Sequence, residues 1–304
     1  MKRLRLLALA LLLALCLLAT AGAALAVVGG QQDSGTPARY PNVGMNLEYG
    51  GWVPGFWGFA GSCTLVRNDP GEVIVMTAAH AVWGSSAEYL AANEVVTFDP
   101  CTSYDWNLIL PDGLPGDLET YAITDVKMHP GFDVDTPYRG ALGLGASKPS
   151  VIGPGREDVA LMWLDRQVLD ADGNTVKAAS IVGRHGLDAL DLKSETFTAV
   201  GYGFNDWLRG NVASWTAGGA GAAMWSGRNY AGTSVVSEHG AFTDRYLKIT
   251  SVVNSFDSGG AVFLRDTGTI VAIPVFSSNR AASPAYCYRL DTDSAQEFLD
   301  PYLD

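Results

Sequence analysis

Cysteine is scarce in this chain, with four residues in 304, and Cys16 sits inside the apolar N-terminal run. The other three, Cys63, Cys101 and Cys287, are too few for a disulfide scaffold, so an apolar core must carry the stability. Basic clusters are missing outside the first five residues, and 20 Lys plus Arg stand against 32 Asp plus Glu. An acidic chain of this kind is a poor candidate for binding nucleic acid or an anionic membrane surface. There is no N-x-S/T sequon and no internal repeat. Helical periodicity is also sparse.

What is present begins at the N-terminus. Lys2, Arg3 and Arg5 precede an unbroken apolar run from Leu6 to about Thr20, and a small-residue stretch ends Ala24-Leu25-Ala26. Basic, apolar, then A-x-A is the order of a secretory signal peptide over residues 1–26, which predicts a secreted protein. An uncleaved anchor is the rival, because about 20 apolar residues can span a bilayer. The well-formed A-x-A site and the lack of a charged stop-transfer flank favour cleavage. Leu15 before Cys16 is too large for a lipid-attachment site. Removing the three leading cations without any acid takes the formal charge from −12 to −15. The remainder is long enough for one large domain or two small ones.

Beyond the leader, short β-rich runs alternate with Gly, Pro, Asn and Asp: 73–76, 94–98, 121–127, 158–164, 196–200, 245–253 and 270–276. Such a pattern predicts an all-β fold, an antiparallel sandwich or barrel. One helix is expected, over Ala295–Leu299, capped by Asp293 or Ser294. Two long stretches, 128–157 and 205–240, are poor in pattern, as functional or mobile loops are. Asp170-Ala171-Asp172-Gly173-Asn174 starts like a calcium loop but lacks the bidentate Glu at its twelfth position, and reads as a plain turn. No metal ligand set and no cofactor motif emerges.

Three segments carry chemistry in combination. Thr77-Ala78-Ala79-His80 follows an apolar strand, Asp158-Val159-Ala160-Leu161 opens another, and Asp257-Ser258-Gly259-Gly260 places a serine in a tight glycine turn. A serine hydroxyl is a poor nucleophile unless an imidazole takes its proton and a carboxylate fixes that imidazole's tautomer. Backbone donors must also receive the oxyanion. Each segment alone is ordinary. Together, in the order His, Asp, Ser on an all-β secreted chain, they predict His80 as general base, Asp158 as its orienting acid and Ser258 as nucleophile. An esterase of another fold is the competing enzyme class, but no G-x-S-x-G elbow exists and the order of His and Ser is reversed.

These motifs resemble those of the trypsin/chymotrypsin-type serine peptidases. Val27-Val28-Gly29-Gly30 resembles the family's mature start, Ser62-Cys63-Thr64-Leu65-Val66 the strand before the histidine, and Thr198-Ala199-Val200-Gly201-Tyr202-Gly203 a strand of its second half. The resemblance spans 27–304, with 99–120 and 128–157 as insertions. It implies two six-stranded antiparallel β-barrels with a short C-terminal helix, the first over 27–170 carrying His80 and Asp158, the second over 171–304 carrying Ser258. It also implies an oxyanion hole from the backbone N–H groups of Phe256 and Ser258, and a buried pair between the Val27 amine and Asp257. The activity implied is endopeptidase action on polypeptides by a monomer, through an acyl-enzyme, with no cofactor and no stable membrane association. Since Val27 directly follows the leader, signal cleavage itself would free the activating amine.

Three departures modify this. Phe256 stands where the family has glycine, and a Cβ there disfavours the peptide orientation that aims its N–H at the oxyanion. A catalytically weak, binding-type relative of the same fold is the alternative this residue supports. Ala81 replaces the usual cysteine after the histidine, so the bridge beside it is absent. One disulfide is expected instead, Cys63–Cys101, since both fall in the first barrel and Cys287 near the end of the second; three free, buried thiols are the alternative. Val252 stands at the base of the specificity pocket, and an apolar base cannot pair a buried cation, so specificity for basic residues is not expected.

Overall fold

Val-, Ile- and Thr-rich runs bounded by turn formers become strands here because branched side chains pack well on a pleated surface that is buried on one face. A computed structural model describes residues 30–33, 35–49, 57–83, 85–100, 114, 117–132, 157–203, 228–237, 244–250, 252–253, 257–265, 267–276 and 284–303. The strands are β1 (Gln31–Gln32), β2 (Val43–Tyr49), β3 (Trp57–Asp69), β4 (Glu72–Thr77), β5 (Glu94–Thr97), β6 (Tyr121–Met128), β7 (Ala160–Leu164) and β8 (Ser180–Ile181). They continue with β9 (Phe197–Gly201), β10 (Asn229–Thr233), β11 (Val235–Ser237), β12 (Tyr246–Ile249), β13 (Ala261–Leu264), β14 (Thr269–Phe276) and β15 (Ala285–Arg289).

Six of them close a barrel in the order β2-β3-β4-β7-β6-β5. Alternation with period two sorts their side chains. Cys63, Leu65, Val73, Val75, Val96, Tyr121, Ile123, Ala160 and Met162 fill the interior. Ile74, Met76 and Leu161 point outward and join Val200, Phe263 and Ile273 of the other unit in one continuous core. The first expected barrel is therefore present. The second unit is a curled sheet, β1-β10-β9-β13-β14-β15-β12-β11, with β8 added in parallel to β14; among the described residues it does not close. The N-terminal arm crosses to this sheet, since β1 pairs with β10.

Three short helices appear among the described residues where the sequence suggested one: α1 (Ala79–Val82), α2 (Ala87–Asn93) and α3 (Asp293–Leu303). The first two are only one or two turns long and leave no periodic signature. Ser86 starts α2, its Oγ accepting from Tyr89 N at 3.2 Å. The expected cap of α3 is corrected: Thr292 serves, its Oγ1 accepting from Ala295 N at 3.2 Å and its carbonyl from Gln296 N at 3.0 Å. Asp293 is instead the first helical residue, and its carboxylate pairs with Arg184 at 2.7 Å. The 170–174 segment is a self-contained turn in which Asp170 Oδ1 accepts from Asp172 N and Asn174 N at 3.0 and 2.8 Å. The leader and most of the two pattern-poor stretches lie outside the described residues. Among those described, no helix is long and apolar enough to cross a membrane.

Candidate active site

His80 enters the site on α1, directly after β4. Thr77 Oγ1 donates to Ser62 O at 2.8 Å and ties the end of β4 to β3. Ala78 then takes an extended conformation (φ −75°, ψ 137°) and starts α1 one residue before His80. Both alanines of this motif are fully buried, Ala78 in the core shared with the second sheet and Ala79 in the core of the first barrel. Asp158 opens the segment leading into β7, the neighbour of β4, so the barrel itself sets the two residues side by side.

The resulting contact is double. His80 N donates to Asp158 Oδ1 at 2.9 Å, and His80 Nδ1 lies 2.7 Å from Asp158 Oδ2. A carboxylate oxygen only accepts, so Nδ1 carries the proton and Nε2 keeps its lone pair. Asp158 is fully buried, and the His80 side chain is 10% exposed. The geometry leaves an oriented imidazole with a basic nitrogen at the junction of the two units.

Ser258 arrives there from the second sheet on the turn before β13. Its carbonyl accepts from Ser62 N at 2.9 Å, which seats the turn on β3 beside the His80 strand. Gly259 has φ +84°, and a Cβ on it would lie 2.2 Å from both Ser62 O and Thr77 Oγ1. Only glycine permits that approach, so the D-S-G-G turn and the T-A-A-H motif are two halves of one contact. Gly259 N donates to Pro274 O at 3.0 Å and Gly260 N to Asp257 O at 2.9 Å. The Ser258 N–H has no acceptor among the described residues, and Ser258 itself is half-buried.

Comparison with solved structures follows this geometry. A Vibrio cholerae protease, VesB, superposes with TM-score 0.54 at 13% identity, over 90% of this chain and 66% of that one. A structure titled GrC gives 0.54 at 14% identity, over 90% and 98%. Human heparin binding protein gives 0.53 at 14%, over 91% and 96%. The fold is that of the trypsin/chymotrypsin-like serine proteases. No protein-family model matches the chain, and no curated protein matches it by sequence.

Within this chymotrypsin-like frame the remaining expected residues fall as follows. Asp257 is buried, and its Oδ1 accepts from Gly203 N at 2.8 Å. Gly201 makes room for it, since a Cβ there would lie 2.3 Å from that same oxygen. Val27, its expected amine partner, and Phe256 of the expected oxyanion hole lie outside the described residues. Val252 is half-buried against the core, its N–H donating to Thr250 O at 2.7 Å. The expected Cys63–Cys101 bridge is corrected: Cys63 is a free thiol directed into the closed barrel among Leu65, Val75 and Met162, and Cys101 lies outside the described residues. Cys287 is also free and buried. Burial pushes both thiols well above the ordinary range.

The candidate site has supports that sequence reasoning did not find. Glu157, beside Asp158, accepts a short hydrogen bond from Tyr288 OH on β15, and Arg245 Nη1 lies 3.4 Å from its other oxygen as an ion pair without hydrogen-bond geometry. Burial, then the neighbouring carboxylate, holds the Tyr288 phenol protonated far above its usual range. His129 accepts from Gly131 N at Nδ1 (2.9 Å) and donates from Nε2 to Ser294 O (3.0 Å), pinning the segment just after β6 to α3. The Tyr288–Glu157 and His129–Ser294 contacts join residues more than a hundred positions apart, with no local motif to mark them.

Proposed function

We propose that the chain is a secreted serine endopeptidase that acts through Ser258, His80 and Asp158. The observation carrying this reading is the doubly held His80–Asp158 dyad, with the Ser258 turn packed on the same strand end. In the proposed reaction His80 Nε2 takes the Ser258 hydroxyl proton as Oγ attacks a peptide carbonyl. The imidazolium then returns that proton to the leaving amine, and water repeats the sequence to release the acyl group. Asp158 stabilises the imidazolium and prevents the wrong tautomer. The Ser258 N–H, without an acceptor among the described residues, is one proposed donor for the oxyanion, and Phe256 N–H is the proposed second.

The apolar leader motivates secretion, and the pairing of the Val27 amine with Asp257 after cleavage at Ala26 is the proposed activation step. Val252 at the pocket base motivates a preference for apolar or small side chains over Lys and Arg. Polypeptides are the proposed substrates of a monomer that uses no cofactor.

The test is covalent labelling of the secreted protein by a fluorophosphonate probe, followed by N-terminal sequencing and cleavage of matched substrates carrying Phe, Leu, Ala, Lys or Arg. Labelling should occur at Ser258 and vanish in Ser258→Ala. Labelling unaffected by Ser258→Ala, or no labelling of the wild type, would overturn the reading.

A further inference from the structure

Arg228, just before β10, is 1% exposed, yet among the described residues each contact of its guanidinium reaches a different segment. Nε donates to Asp33 Oδ2 at 2.8 Å. Nη1 donates to Val43 O and Phe98 O at 3.1 Å each and to Tyr202 OH at 3.4 Å. Its main chain joins in: Asp33 N donates to Arg228 O at 2.8 Å, and Arg228 N to Pro100 O at 3.1 Å. Asp33, 3% exposed, also accepts from Arg39 N at 2.7 Å and Tyr40 N at 2.9 Å. One buried guanidinium thus binds the N-terminal arm, the first barrel at two strand ends, and Tyr202 directly after β9 of the second sheet.

Burying an ion pair is a poor way to gain stability, since well-packed apolar residues do as well or better. What the guanidinium fork supplies is direction, because its donors fit only partners in set positions. The next links lead to the nucleophile. Tyr202, whose hydroxyl also donates to Asp99 O at 2.9 Å, gives its N–H to Ser62 Oγ at 3.0 Å. Ser62 N in turn holds Ser258 O at 2.9 Å. The N–H after Tyr202, that of Gly203, holds Asp257 Oδ1 at 2.8 Å. Two of the contacts that hold the Asp257–Ser258 turn therefore meet at Tyr202, and the Tyr202 hydroxyl accepts from Arg228.

We propose that Arg228 and Asp33 form a positioning clasp that sets the Ser258 turn against the His80–Asp158 dyad and couples that setting to docking of the N-terminal arm. This rests on the peptidase reading above. Because the dyad belongs to the first barrel and Ser258 to the second sheet, a small shift between the units separates base from nucleophile. The clasp lies across that seam.

The experiment compares Asp33→Asn/Arg228→Met, which removes both charges together, and the milder Tyr202→Phe with Leu90→Ala, a barrel-core truncation away from the clasp. Turnover is expressed per active site titrated to completion with fluorophosphonate. Misplacing reacting groups by about 1 Å costs roughly 10²-fold, so the double variant should lose about that much kcat and Tyr202→Phe about 10-fold, with KM within about twofold. Leu90→Ala should lower Tm with kcat per site unchanged. Hydrogen exchange at the Ser62 and Gly203 amides gives a readout independent of catalysis. It should quicken in both clasp variants while the Val75 and Met162 amides stay protected. Unchanged exchange at Ser62 and Gly203 overturns the clasp even if the wild type proves inactive. Unchanged kcat in both variants of an active enzyme overturns it equally. A wild type that neither labels nor hydrolyses defeats the peptidase reading alone, and exchange then decides the clasp.

Discussion

Asp158 grips His80 at two points, the main-chain N–H at 2.9 Å and Nδ1 at 2.7 Å, each on its own carboxylate oxygen. The first contact fixes where the residue sits and the second fixes how the ring is turned and which nitrogen holds the proton. Asp158→Asn should keep the fold, because an amide replaces the carboxylate at equal size. Its NH₂ group, facing Nδ1, would force the proton onto Nε2. Hydrolysis at neutral pH should then fall by about 10⁴ in kcat, with far-ultraviolet circular dichroism unchanged. A loss below tenfold would show that Asp158 does not set the tautomer.

Gly259 is the point where the nucleophile turn touches the histidine strand. Gly259→Ala places a methyl group 2.2 Å from Ser62 O and Thr77 Oγ1 at φ +84°. Backbone strain alone costs roughly 1–3 kcal/mol, and the clash requires the turn to move. Urea denaturation should show at least that loss, and kcat should fall with it. Full activity in a stable Gly259→Ala protein would mean that the turn does not rest on β3 as described.

The elements legible in the sequence were those with local causes. Strands such as Glu72–Thr77, Tyr121–Met128 and Thr269–Phe276 announce themselves by β-branched runs between turn formers. The T-A-A-H and D-S-G-G motifs lie together in the fold, and glycine is demanded at their contact because a Cβ on Gly259 would meet Ser62 O and Thr77 Oγ1. Features with distant causes were not legible. Asp33 and Arg228 are 195 positions apart, and each alone looks like a surface charge. Cys63 looked available for a bridge, but the pleat turns it into the barrel interior. The Thr292 cap was missed because Asp293 and Ser294 are equally good cap residues, and only the path of the chain out of β15 chooses among them.

The cysteines give a simple check. Cys63 and Cys287 are free and fully buried, and burial keeps both protonated, so neither should react with a maleimide in the native protein. Unfolding in denaturant without reductant should expose both to alkylation, read by peptide mass spectrometry. A disulfide-linked peptide containing Cys63 would contradict the barrel interior described here.

Glu94 gives the pH dependence. It lies directly opposite Glu48 across β5 and β2, on the face that alternation turns into the barrel. Asn46, two residues before Glu48 on the same face, has both side-chain amide atoms buried with no partner among the described residues, and Glu94 Oε2 is in the same position. Tyr89 of α2 covers this end but gives its hydroxyl to Glu48 at 2.9 Å. Burial first, and Glu48 second, raise the Glu94 carboxyl from 4.5 to about 8. The folded state therefore holds a proton that the unfolded chain releases near pH 4.5. The linkage sign follows: stability contributed by this proton is full below about pH 4.5, declines as pH rises, and is gone above about pH 8. A shift of this size corresponds to a few kcal/mol between the two limits. Glu94→Gln keeps the shape and removes the titration. Its urea midpoint should match the wild type near pH 4.5 and exceed it increasingly toward pH 8.5. Parallel midpoint curves for the two proteins across that range would show that Glu94 is ionised and solvated in the folded chain, contrary to its buried position.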